Sequence, residues 1–339
     1  MRTSFNATMA CCAGVAIGAS SAWAADSLTA CTAMEPDSAR LACYDQLAGR
    51  NTTREMIARP SANTTVDGGT TKPSLLETSW EFERNPSIFR IRPYKPVYLL
   101  PIFHANHVNQ EPHSPTLGSV SHPLILDNDE AKFQISFKSK LANDLLGDNG
   151  DLWAGYTQSS RWQVYNKQDS RPFRETNYEP ELMFVWRTNL DLPGMKARHA
   201  TLGINHQSNG RSGPLSRSWN RVMGAVGLER GDWTLTLRPW WRIPERNKQD
   251  DNPDVADYAG RGEVLLTRVF REHVFSALAR HSLRGGDRSH GSVQLDWAFP
   301  ITGRLKGHIQ WHSGYAESMI DYNHRANYLG LGVSLVEWH

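Results

Sequence analysis

The chain has 339 residues, 39% hydrophobic and 21% charged, with 37 Lys and Arg against 35 Asp and Glu. This near-neutral balance gives no electrostatic argument for a nucleic-acid partner. A mean hydropathy of −0.53, with no run of about 18 apolar residues after the N-terminus, argues against a helical membrane protein. Aromatic residues are abundant instead, with 12 Trp, 10 Tyr and 11 Phe among many short alternating segments. That is the pattern of a transmembrane β-barrel, in which each strand carries a weak signal and aromatic rings collect at the interfaces.

Taken in order, Arg2, the small-residue apolar stretch Ala7 to Ala19 and Ala22-Trp23-Ala24 form a secretory signal pattern with an A-x-A cleavage site, predicting a signal peptide over 1–24. Cleavage removes Cys11 and Cys12 and leaves Cys31 and Cys43, an even pair bound for an oxidising compartment, so a Cys31–Cys43 disulfide is expected. The segment around Ala39-Arg40-Leu41-Ala42-Cys43-Tyr44-Asp45 suggests a short amphipathic helix within 26–47. Residues 48–72, rich in Asn, Thr, Ser and Gly, read as a linker. Residues 25–75 are therefore assigned to an N-terminal periplasmic segment and 76–339 to the barrel.

The first strand is expected from Pro93 to Phe103, followed by a long polar loop to about Asp129. Phe133, Ile135 and Phe137 alternate with Gln134, Ser136 and Lys138, as in a strand with one face to lipid and one to a lumen. Further strands are expected over 152–166, 173–187 and up to His206, then from Trp219 and again from Trp233, where Leu235, Leu237 and Trp241 alternate with Thr236, Arg238 and Arg242. Tyr258 to Phe270 and His273 to His281 read as a hairpin, followed by strands around 293–299, 305–311 and 325–337. The total is an all-β, antiparallel barrel of about 12 strands. Its short and long connections alternate, the short ones belonging to the periplasmic side and the long ones outside. A soluble β-sandwich shares the alternation and remains an alternative at this level.

One stretch carries chemistry. In Ala200-Thr201-Leu202-Gly203-Ile204-Asn205-His206-Gln207-Ser208, period 2 places His206 and Ser208 on the face of Ala200, Leu202 and Ile204. Sealed in a soluble core, a nucleophile there would meet no substrate; on a barrel it faces lipid. On the strand after the loop at 209–218, Asn220 shares the apolar parity of Val222, Gly224 and Val226. If the two strands pair, Ser208, His206 and Asn220 converge at one rim, with the residue types a serine nucleophile, a base and a tautomer-fixing partner require. The bland alternative is a set of ordinary rim polars.

The chain from about residue 80 onward resembles the bacterial outer membrane phospholipase A family. The residues that carry the resemblance are Pro172-Phe173-Arg174-Glu175-Thr176-Asn177-Tyr178-Glu179-Pro180, Asn205-His206, Ser208-Asn209-Gly210-Arg211-Ser212, Ser216-Arg217-Ser218-Trp219-Asn220-Arg221, Asp250-Asp251-Asn252-Pro253-Asp254 and Ser318-Met319-Ile320-Asp321-Tyr322-Asn323. The resemblance implies a twelve-stranded outer membrane barrel that hydrolyses sn-1 and sn-2 acyl esters of phospholipids and lysophospholipids near the outer leaflet. It implies Ser208 as nucleophile, His206 as general base, Asn220 as the residue orienting His206, and Gly210 as an oxyanion donor. It further implies Ca2+ on Ser170, the carbonyl of Arg211 and Ser216, with Ser216 supplied by a second subunit of a homodimer, and Asp251 as a calcium carboxylate of the monomer. Gly213 departs from the pattern, standing where family members can carry an Asp. The rival function is a porin-like channel with His206 as a rim polar, and a further rival is an adhesive barrel whose loops bind a partner.

Overall fold

The computed structural model describes residues 31–34, 37–47, 73–82, 87–246 and 250–338. The expected signal peptide and linker lie outside the described residues. In the N-terminal unit, helix α1 (Asp37–Leu47) carries Cys43, which is bonded to Cys31 with a Cα–Cα distance of 5.6 Å.

The second unit is a barrel of twelve antiparallel strands: β1 (Val97–Ala105), β2 (Asp129–Ala142), β3 (Asp151–Trp162), β4 (Phe173–Leu192), β5 (Met195–Ser208), β6 (Ser218–Arg230), β7 (Trp233–Ile243), β8 (Gly262–Phe270), β9 (His273–His281), β10 (Gly291–Thr302), β11 (Leu305–Gly314) and β12 (Ala326–Val336). Each strand pairs with its neighbours in sequence, and β12 pairs with β1 to close the sheet. Closure pairs every strand on both sides and so removes the exposed edges that a membrane interior would penalise. A three-residue strand, Ile91–Pro93, also pairs with β2. The first strand expected from Pro93 to Phe103 is thus broken at Lys95-Pro96, because proline cannot donate to a ladder. The expected strand start at Tyr258 is also corrected: Val255–Tyr258 is a helical turn, and β8 begins at Gly262.

The alternation read from the sequence is the alternation of burial. On β2, Lys138 is 1% exposed and Ile135 is 49% exposed. Aromatic rings gather at the end where strands join by two-residue turns, Phe275 stacking on Trp297 at 6.0 Å between centroids. The lumen is filled with paired charges. Glu317 receives Lys132 at 2.8 Å and Arg161 at 2.7 Å, Arg174 is bidentate on Glu130 at 2.8 and 2.9 Å, and Lys95 lies 2.9 Å from Glu179. At the short-turn end an unanticipated helix, α2 (Leu75–Trp80), enters the barrel. Its N-cap Ser74 accepts from Glu77 N, and Trp80 packs edge-on to Trp153 at 5.7 Å beneath the Lys138 ammonium. Arg198 ties this helix to the wall through Glu77 at 2.8 Å and Glu229 at 3.1 Å.

Candidate active site

Strands β5 and β6 meet at the long-loop end, and their register sets the site. His206 lies opposite Asn220 and Ser208 opposite Ser218. On this wall Leu202 and Ile204 are 56% and 54% exposed, whereas Asn205 and Arg221 face the lumen at 3% and 6%. Period 2 therefore carries His206, Ser208 and Asn220 outward with the apolar residues. His206 Nδ1 donates to Asn220 Oδ1 at 2.8 Å, because an amide oxygen only accepts. The Nε2 lone pair is then the basic site of the ring. Ser208 lies two residues along the same face; among the described residues it makes no hydrogen bond to the ring, and such contacts are often long without substrate. Beside them runs an outward groove of about 420 Å³ lined by Pro180, Leu182, Ile204, His206, Asn220 and Ile243.

The loop after β5 turns at Gly210, whose φ of 62° lies in the left-handed region that disfavours side chains, and a Cβ there would meet the Tyr178 ring at 3.2 Å. The N–H of Gly210 has no acceptor among the described residues. Asn209, 4% exposed, holds this turn with four hydrogen bonds. It donates to Glu175 Oε1 at 3.0 Å and the Leu215 carbonyl at 2.8 Å, and accepts from Arg211 N at 3.2 Å and Arg217 N at 3.0 Å. Asn209 and Glu175 lie in the segments that carry the family resemblance but have no role assigned there, although Asn before a turn glycine is a recognisable turn signal. Glu245 was also missed; it accepts from Asn220 Nδ2 at 3.1 Å.

The expected metal ligands divide into two groups. Ser216 Oγ donates to Asp251 Oδ2 at 2.5 Å within one chain, and Ser114 Oγ donates to the Asp251 carbonyl at 2.6 Å. Ser170 stands exposed in the β3–β4 loop at φ 53°, with no hydrogen bond to Ser216 or Asp251 among the described residues. Arg211 is exposed, its guanidinium donating to the Arg174 carbonyl at 2.9 Å. Gly213 lies at φ 59° with open space around it, so the hydroxyl of Ser216 occupies the role of partner to Asp251. No group of three or more His, Cys, Asp or Glu among the described residues could hold a metal. A cation here would draw on hydroxyl and carbonyl oxygens and the single carboxylate of Asp251, an all-oxygen set of the kind that suits a hard ion.

The family model for phospholipase A1 matches residues 76–335. The chain is 36% identical over 344 residues to a putative phospholipase A1 of Neisseria meningitidis serogroup B, covering 89% of each. It superposes on outer membrane phospholipase A from Escherichia coli with a TM-score of 0.67 at 34% identity, covering 76% of this chain and 95% of that one. It matches a Salmonella typhi outer membrane phospholipase, solved as a dimer with bound calcium, with a TM-score of 0.66 at 36% identity, covering 75% and 94%.

Proposed function

The chain belongs to the phospholipase A1 family, and we propose that it is a calcium-dependent outer membrane phospholipase whose Ser208, His206 and Asn220 cleave sn-1 and sn-2 acyl esters from the lipid-facing wall. The observation that carries this reading is the 2.8 Å bond from His206 Nδ1 to Asn220 Oδ1 on an outward apolar face beside Ser208. A base oriented toward lipid has a use only if its substrate is lipid.

His206 Nε2 takes the Ser208 proton as Oγ attacks the ester carbonyl, and Gly210 N–H stabilises the oxyanion that forms. The imidazolium, held by Asn220, returns that proton to the departing glycerol oxygen, leaving an acyl-serine and a lysophospholipid. Water activated by His206 then releases the fatty acid. The adjacent groove, with Leu182, Ile204 and Ile243 on its wall, is an apolar seat for an acyl chain. Ser170, the Arg211 carbonyl, Ser216 and Asp251 are the residues that would hold calcium, and their all-oxygen chemistry fits it. When bound, calcium supplies positive charge against the developing oxyanion, alongside a donor worth about 3 kcal/mol in comparable sites. Because the site lies on an outer wall, a second copy apposed on this face would enclose the acyl groove and give the active enzyme as a homodimer, placing catalysis near the outer leaflet.

A long-chain fluorophosphonate tests the reading. Labelling is expected on Ser208 alone and should be lost in Ser208→Ala and His206→Ala; labelling that persists in Ser208→Ala would overturn the assignment of the nucleophile.

A further inference from the structure

Asn220 cannot orient itself. Its amide oxygen and nitrogen have nearly the same shape, and turned over it would present N–H to His206 Nδ1 and push the ring proton onto Nε2, where the base could accept nothing. One neighbour breaks the symmetry. Ile243 of β7 lies opposite Asn220 in the β6–β7 register, and two residues further on Glu245 receives Asn220 Nδ2 at 3.1 Å. A carboxylate has only acceptors, so the nitrogen must face Glu245, the oxygen must face His206, and His206 must carry its proton on Nδ1. The loop base that holds Glu245 is itself tied down: Arg242 donates to Asp250 at 2.6 Å and to the Pro253 carbonyl at 2.9 Å.

We infer that Glu245 is a positioning residue for the hydrolytic site, fixing the Asn220 amide and through it the tautomer of His206, and adding a negative charge to a relay that is otherwise uncharged. This rests on the hydrolytic reading of Ser208, His206 and Asn220. Glu245 touches neither substrate nor nucleophile. Burial, then Asp250, raise its carboxyl above the usual range, while Arg242 and the hydrogen bond from Asn220 act in the opposite sense.

The test is a double-mutant cycle on the refolded full chain in phospholipid–detergent micelles with calcium, Glu245→Leu and Glu245→Gln being made both in the natural chain and in Asn220→Ala. Glu245→Leu is expected to lower kcat on the order of tenfold with KM unchanged. Glu245→Gln, whose amide oxygen can still accept from Asn220 but which lacks the charge and also carries a donor, should recover only part of that loss. In the Asn220→Ala background both substitutions should be neutral, since the group they position is gone. Equal losses in the two backgrounds, or a Glu245→Leu kcat within twofold of the natural chain, would overturn the inference while leaving the hydrolytic reading standing. A natural chain with no Ser208-dependent release would overturn both.

Discussion

Replacing Asn209 with Ala should disable the site without loosening the barrel. Its side chain donates to Glu175 and the Leu215 carbonyl and accepts from the backbone of Arg211 and Arg217. Glu175 keeps a partner, since Ile320 N also donates to it at 2.8 Å. The buried N–H of Arg217 and the Leu215 carbonyl lose theirs, and each buried group left unsatisfied costs about 1–3 kcal/mol. A penalty of that size is relieved by letting the turn at Gly210 swing toward water, which would carry the Gly210 N–H away from the oxyanion it is proposed to hold. Loss of one such donor lowers kcat by about 10²- to 10³-fold. The turn lies at the rim, so the urea midpoint of the barrel should hardly move. Initial rates of fatty-acid release, read beside a urea titration followed by tryptophan fluorescence, measure both quantities. A kcat within threefold of the natural chain would refute the role given to this turn.

His206→Ala should remove essentially all turnover, whereas Asn220→Ala, which keeps the base, should cost about 10- to 100-fold less; equal and total losses in the two rate assays would contradict an orienting role. Asp251→Ala should raise the calcium concentration for half-maximal activity at least ~10-fold, with the calcium titration curve as the readout. Burial alone would raise the Glu317 carboxyl, yet Arg161 and Lys132 hold it well below the usual range. Its contribution is therefore present above the unfolded value of about 4.3 and is lost as pH falls through the lower folded value. Glu317→Gln should cost about 3–5 kcal/mol at neutral pH and flatten the acid limb of stability against pH, measured by urea unfolding at a series of pH values.

The barrel was legible because a closed sheet in lipid forces period 2 on every strand: Phe133, Ile135 and Phe137 outward against Ser136 and Lys138 inward could be read without coordinates, as could the outward parity of His206, Ser208 and Asn220. The break at Lys95-Pro96 and the helical turn Val255–Tyr258 were less legible, since local chemistry there overrides an alternation that continues through both. The helix Leu75–Trp80 was missed because six residues give too little periodicity to read, and its place depends on Glu229 and Arg198, more than a hundred residues away. Asn209, Glu175 and Glu245 escaped for a related reason: they act on neighbours rather than on substrate, and only the register of β4 to β7 brings them there. The hydrogen bond between Ser216 and Asp251 likewise joins two loops that the sequence could place at one rim but not in contact.

The most direct measurement is fatty-acid release from phospholipid–detergent micelles by the refolded chain, with calcium and then with chelator, beside Ser208→Ala shown to be folded. The expected result is release that requires both calcium and Ser208. Release that survives in Ser208→Ala, or none from the folded natural chain with calcium, would contradict an enzyme working from the lipid-facing wall.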